Sequence, residues 1–130
     1  MRILGIGVDI VNNKRIKESL KNDKFKSRVY DIKELKQSNL LKNKVNYFSK
    51  RFAAKEALAK ALGTGFRMNL NLKDIVVMND KMGMPYYVKT SKITKIIKKK
   101  FKIKNFNCFL SISDEKDYSI AFAVIQSIWN

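Results

Sequence analysis

The run Phe48-Ser49-Lys50-Arg51-Phe52-Ala53-Ala54-Lys55-Glu56-Ala57-Leu58-Ala59-Lys60-Ala61-Leu62-Gly63-Thr64-Gly65 decides how the rest of the chain is read. Alanine, leucine, lysine and glutamate favour helix and Gly63 with Gly65 supplies a stop, so the composition predicts a helix from about Asn46 through Leu62. Phe52, Glu56 and Lys60 recur every four residues and share a face, while Ala53, Ala57 and Ala61 form a neighbouring stripe of small side chains. Small side chains let such a helix lie close to another backbone. Glu56 beside that stripe is open to two readings: a surface partner for Lys60, worth roughly a few tenths of a kcal/mol, or a partly buried functional carboxylate.

N-terminal to this helix, Ile3-Leu4-Gly5-Ile6-Gly7-Val8-Asp9-Ile10-Val11 reads as a buried strand bounded by Asn12 and Asn13. Glycine weakens a strand, and two of them imply a bulge or the close approach of a backbone or ligand. Asp9 near the strand's end is either a turn-capping carboxylate or a functional group displayed at the sheet edge. Residues 14–40 carry intermittent apolar positions (Ile16, Leu20, Phe25, Val29, Ile32, Leu35, Leu40) and predict short helices. Lys14, Arg15, Lys17, Lys21, Lys24, Lys26 and Arg28 face only Glu18 and Asp23 in this stretch. Such a run is either solvated surface or a docking face for an acidic partner.

C-terminal to the helix, residues 70–78 approach a strand that ends in the turn Asn79-Asp80-Lys81-Met82-Gly83, and Met84-Pro85-Tyr86-Tyr87-Val88 resumes as an extended segment. Ser91 is placed to cap a helix through Ile93, Ile96 and Ile97 that ends at the solvated Lys98-Lys99-Lys100. Residues 107–113 and 118–125 predict an antiparallel hairpin about Asp114-Glu115-Lys116-Asp117.

The whole chain has 130 residues, the size of one domain, with 45% hydrophobic residues, enough for one core. No stretch has the length of a membrane span or of a secretion signal, and a cytoplasmic location is expected. Twenty-eight basic against 11 acidic residues give a formal charge of +17, which points to an anionic partner without identifying it. With no histidine, zinc sites that use imidazole and Ser-His-Asp triads are excluded. The single cysteine, Cys108, has no partner for an internal disulfide and reads as a packed small residue. A metal would need oxygen ligands, which favours magnesium. If folding brings Asp9 and Glu56 together, their repulsion calls for a cation between them, and Arg51, Lys55 and Lys60 are at hand to neutralise phosphate.

Two stretches, Gly5-Ile6-Gly7-Val8-Asp9-Ile10-Val11 followed by Arg15-Ile16, and Arg51 through Gly65, together resemble the paired motifs of bacterial holo-acyl-carrier-protein synthases, the small phosphopantetheinyl transferases. The Gly83-Met84-Pro85 turn and the terminal hairpin fit as well, so the resemblance spans nearly the whole chain. It implies an α+β fold with an antiparallel sheet packed against the long central helix. It also implies transfer of the phosphopantetheine arm of coenzyme A to a serine of an acidic apo-acyl-carrier protein, releasing adenosine 3′,5′-bisphosphate.

By the same resemblance, Asp9 and Glu56 bind Mg2+, Glu56 activates the serine and Lys60 contacts phosphate. Arg51, Gly63, Gly83 and Pro85 are expected to help hold coenzyme A, and Lys14, Arg15, Lys21 and Arg28 to dock the carrier. A homotrimer with active sites between subunits is implied, with neither membrane insertion nor specific nucleic-acid binding. The family commonly carries Ser-x-Ser-His where this chain has Ser111-Ile112-Ser113-Asp114. A carboxylate at neutral pH accepts a hydrogen bond but cannot donate one, so Asp114 is a site candidate without the imidazole's chemistry, or a turn residue. The rival reading is a basic RNA-binding or ribosome-associated module, using lysines for phosphate and aromatics for stacking.

Overall fold

The computed structural model describes residues 1–129. Strand β1 (Arg2–Asn12) is followed by three short helices, α1 (Asn13–Ser19), α2 (Asp23–Val29) and α3 (Ile32–Ser38), and by the long helix α4 (Lys44–Leu62). A single 3-10 turn (Leu72–Asp74) leads into β2 (Val77–Asn79) and β3 (Pro85–Tyr87); then come α5 (Ser91–Phe101), β4 (Phe106–Asp114) and β5 (Tyr118–Ser127). The fold is α+β. Its main sheet is antiparallel in the order β1-β5-β4, and β2 and β3 form a separate antiparallel pair.

Helix α4 lies across one face of the main sheet, and the residues at the contact explain why. Gly5 and Gly7 of β1 lie against the α4 backbone, where an ideal Cβ on either would stand 1.9 Å from the carbonyl oxygen of Ala61 or Ala57 respectively. Ala121 and Ala123 of β5 are fully buried on the same side. Small residues on both partners bring helix and sheet to near backbone contact, and the side chains that fill the rest of the core (Leu58, Leu62, Ile75, Val77, Ile97, Ile125) pack around that seam.

The opposite face of the sheet is apolar and uncovered. Ile6, Val8 and Ile10 are 62%, 53% and 60% exposed, and their register partners Val124, Phe122 and Ile120 continue the patch to Phe109 on β4.

Three local expectations shift. Residues 70–78 yield a strand only at Val77–Asn79, because the reciprocal Asn71–Asp74 contacts wind the chain into the 3-10 turn and the Lys55 ammonium takes the carbonyls of Leu72 and Ile75. Helix α5 is capped by Thr90, whose hydroxyl accepts from the Ile93 amide at 3.2 Å; Ser91 is the first helical residue. The hairpin between β4 and β5 turns through Glu115, Lys116 and Asp117, and Asp114 is the last strand residue before it. Among the described residues no helix is long and apolar enough to cross a membrane.

Candidate active site

Asp9 and Glu56 come from different elements and line one cavity of about 330 Å³, together with Arg15, Ile16, Ser19, Phe25 and Phe52. The glycines fix this meeting. Alternation along β1 puts Gly5, Gly7 and Asp9 on the face toward α4, and the close approach at Gly7 brings Asp9 level with the Glu56–Lys60 turn of the helix.

Lys60 completes the group: its ammonium donates to Asp9 Oδ1 at 3.0 Å and to the Val8 carbonyl at 2.9 Å. Two of its three N–H groups are thereby engaged, and more than half of the side chain remains open to solvent. Of the two sequence readings of Glu56, the functional carboxylate has the support of this geometry, since Lys60 pairs across to the strand. Burial, followed by the negative charge of Asp9, holds the Glu56 carboxyl above the usual glutamate range, and Lys60 partly offsets this. Two carboxylates from different elements facing one cavity are a donor set that suits a divalent cation.

Glu56 also lines a second, larger cleft of about 810 Å³. One wall comes from Ser19 and α2 (Phe25, Ser27, Arg28, Val29), the other from Asn71, Leu72, Lys73 and Asp74, with Phe66 at its edge. The cleft is partly apolar, with a carboxylate at one end and Arg28 on one side. Lys14 and Lys21 are exposed on the same stretch of chain, and Lys21 pairs loosely with Glu18 at 3.1 Å.

Arg51 is elsewhere. It is buried, stacks 3.7 Å over the Tyr47 ring, and donates to Gln37 Oε1 (2.7 Å) and Asn79 Oδ1 (2.5 Å). Neither acceptor is charged, and Nε lacks an acceptor among the described residues. Burial therefore lowers its pKa, opposed by Tyr47 and Glu34. The guanidinium lines a cavity of about 590 Å³ with Lys50, Asn46, Asn79 and Asp114. Asp114 is held there by Asn46, whose Nδ2 donates to Oδ2 at 2.8 Å.

Gly83 and Pro85 belong to the β2–β3 turn beside Asn79, whose Nδ2 donates to the Gly83 carbonyl. Gly83, at φ +87°, adopts a conformation that few side chains tolerate. Gly63, at φ +75°, ends α4 one turn beyond Lys60. Within one chain, then, Asp9, Glu56 and Lys60 are brought together, while Arg51, Asp114 and the Gly83–Pro85 turn form a second group.

Lys55 does not face phosphate as its place in the sequence suggested. It is fully buried and bonded to Glu34 at 2.7 Å. The sequence signal was available: its i+3 and i+4 neighbours are Leu58 and Ala59, which puts it on the core side of α4. Nothing comparable marks Glu34. The Cys108 thiol is pushed by burial up to about 12 and stays protonated, which removes it as a nucleophile.

The family model described as the 4′-phosphopantetheinyl transferase superfamily (ACPS) matches residues 5–123, a span that holds both carboxylates and most of the main sheet. The chain belongs to this family. It is 60% identical over 126 residues to the holo-[acyl-carrier-protein] synthase of Pelagibacter ubique, covering 97% of this chain and 98% of that one. The crystal structure of the synthase from Neisseria meningitidis superposes with a TM-score of 0.86 at 38% identity, covering 97% of this chain and all of that one. The Bacillus anthracis synthase, solved in complex with CoA (3′,5′-ADP), superposes at 0.80 with 34% identity, covering 97% and 98%.

Proposed function

We propose that this chain transfers 4′-phosphopantetheine from coenzyme A to a serine of apo-acyl-carrier protein, giving the holo-protein and adenosine 3′,5′-bisphosphate. The observation that carries this reading is the convergence of Asp9, Glu56 and Lys60 at one cavity in a chain of this family. Relatives support the substrate, since synthases from Bacillus anthracis and Helicobacter pylori were solved with coenzyme A. An RNA-binding surface would leave this carboxylate pair without a use.

Asp9 and Glu56 fit Mg2+: both are oxygen donors facing one cavity, Asp9 raises the cost of ionising Glu56, and pyrophosphate oxygens and water would complete an all-oxygen set of the kind magnesium prefers. No group of three or more His, Cys, Asp or Glu side chains lies together among the described residues. Held by Asp9 and Glu56, the ion would supply Lewis-acid polarisation of the pyrophosphate and charge stabilisation for the departing phosphate.

The chain's own groups do the rest. Lys60, already donating to Asp9 and Val8, directs its third N–H to a phosphate oxygen. Glu56, whose carboxyl is held above the ordinary range, receives the serine proton directly or through a water as the serine oxygen bonds to phosphorus and the bond to the adenosine phosphate breaks. The larger cleft leading from Glu56 takes the pantetheine arm, and Lys14, Arg15, Lys21 and Arg28 steer the acidic carrier toward its mouth.

Arg51 serves the anionic nucleotide end of coenzyme A, because a buried guanidinium without a carboxylate partner favours an anion. Gly83 and Pro85 shape the turn beside it and Gly63 the exit of α4. Three copies assemble through the apolar sheet face, so that the Arg51 group of one subunit completes the Glu56 cleft of its neighbour. The chain acts in the cytoplasm, where its substrates are.

The test is intact mass spectrometry of an apo-acyl-carrier protein incubated with this protein, coenzyme A and magnesium. A gain of one phosphopantetheine that depends on magnesium and on the carrier serine supports the reading. No gain across several carriers and divalent ions, with folded protein, refutes it.

A further inference from the structure

The Lys55–Glu34 pair lies away from the reacting groups, yet its bonds reach the wall of the cleft that Glu56 faces. Both side chains have no solvent exposure. The Lys55 ammonium has three N–H groups and three acceptors: Glu34 Oε1 at 2.7 Å, the Leu72 carbonyl at 3.1 Å and the Ile75 carbonyl. The Glu34 carboxylate is equally saturated. Oε1 also accepts from the Asp31 amide at 2.8 Å, at the start of α3, and Oε2 accepts from the Val77 amide at 3.1 Å. One ion pair thus ties α3, α4 and the chain from 72 to 77 together.

The tethered residues matter because of where they are. Leu72 lines the large cleft directly, between Asn71 and Lys73, opposite α2 and in line with Glu56. Lys55 is the residue before Glu56 on α4, so the side chain that holds the wall and the side chain that faces the cleft leave one helix turn in different directions. The wall segment is also held by the Lys92–Asp74 pair at 2.6 Å, by the turn's own bonds and by the burial of Ile75, but Lys55 is its tie to α4 and α3. It forms only a three-residue 3-10 turn before β2 begins at Val77, and its two carbonyls toward the core are those that Lys55 takes.

We infer that Lys55 and Glu34 are positioning residues for coenzyme A, their buried pair fixing the 72–75 wall at the separation from Glu56 that the bound arm needs. This rests on the proposed transfer reaction, and it assigns the pair a role in substrate affinity rather than in the proton or phosphate chemistry. Arginine is not a substitute for Lys55, because its planar fork cannot point three donors at one carboxylate and two carbonyls in this arrangement.

The experiment uses the double variant Glu34→Gln with Lys55→Met. Replacing both charges together avoids leaving one buried and unpaired, so the core survives while the two carbonyl tethers are lost. Steady-state transfer to apo-carrier is measured against coenzyme A concentration, with hydrogen exchange followed by mass spectrometry on the same protein. The expected result is a KM for coenzyme A raised tenfold or more, kcat within about threefold of the parent, and faster exchange across 71–77 with α4 still protected.

A folded double variant with an unchanged KM for coenzyme A overturns the inference, whatever its melting temperature. So does a loss confined to kcat. If the double variant fails to fold, Glu34→Gln with Lys55→Gln gives the same readout, because the two amides keep a hydrogen bond across the pair without a buried charge, while the two N–H groups of the Lys55→Gln amide cannot serve position 34 and both carbonyls. A parent protein that transfers nothing refutes the transfer reading instead, which keeps the two failures separate.

Discussion

Gly7 Cα faces the backbone of Ala57 so closely that an ideal Cβ would lie 1.9 Å from the Ala57 carbonyl oxygen. That approach sets the height of α4 over β1 and so the meeting of Asp9 with Glu56. Gly7→Ala is expected to lower stability by about 1–3 kcal/mol, toward the upper end because the obstacle is backbone and cannot rotate away. It should also reduce transfer in the protein that remains folded. Urea unfolding alongside activity per folded molecule checks both; a Gly7→Ala variant with parental stability and activity would contradict the packing argument.

The same contact shows what was legible in the sequence. Glycines inside a strand and alanines every four residues on a helix each announced a close neighbour, and each is the other's neighbour. The hairpin of β4 and β5 was readable from alternation, because one face of its strands is buried and the other is not. The Glu34–Lys55 pair was not, since 21 residues separate the partners and Lys55 is one lysine among many in a chain of charge +17. Arg51 sat in the same motif as Glu56, but five positions along a helix turns a side chain to another face, so shared motif did not mean shared cavity.

Removing either carboxylate of the Asp9–Glu56 pair should abolish transfer without unfolding the protein. Asp9→Ala and Glu56→Ala are each expected to lower kcat/KM by at least about 100-fold, the usual scale for an acid–base or metal-binding group. Calorimetric titration with magnesium in the presence of coenzyme A should show heat for the parent and none for either variant. Folded variants that transfer as fast as the parent would remove both residues from the mechanism.

Glu56 has a cost that can be measured without substrate. Its carboxyl is held above the ordinary value, first by burial and then by Asp9, so the folded protein binds this proton more tightly than the unfolded chain does. Between the unfolded value of about 4.5 and the raised folded value, stability therefore falls as pH rises, and the deficit is complete once the pH exceeds the folded value. Glu56→Gln should melt at a higher temperature than the parent at pH 7, with the gap closing as the pH falls below the glutamate range. A gap that is absent or reversed at pH 7 would show that the site does not disfavour the carboxylate.

Lys14, Arg15, Lys21 and Arg28 should act on encounter rather than on chemistry. Charge reversal at two of them, such as Lys14→Glu with Lys21→Glu, is expected to raise KM for the carrier several-fold, leave kcat at saturating carrier unchanged, and flatten the salt dependence of kcat/KM. The Lys21–Glu18 pair is exposed and contributes roughly 0–1 kcal/mol, so its loss should leave the melting temperature almost unaltered. Parental carrier kinetics at low and high salt would assign these residues to solvated surface.

The arrangement of two separate groups on one chain gives the sharpest test of assembly. If the Arg51 group of one subunit completes the Glu56 cleft of the next, then Glu56→Gln and Arg51→Met proteins, each impaired alone at low coenzyme A, should complement when unfolded and refolded together. With random mixing in equal amounts, about one interface in four pairs an intact Glu56 with an intact Arg51, so roughly a quarter of parental activity should return. If both groups served one site within a chain, every site would lack one of them and no activity would return. The apolar sheet face supplies the control. Phe122→Glu puts a charge among Val8, Ser111 and their neighbours; if the proposed trimer forms through this face, the variant should be monomeric in light scattering and the complementation should be lost with it.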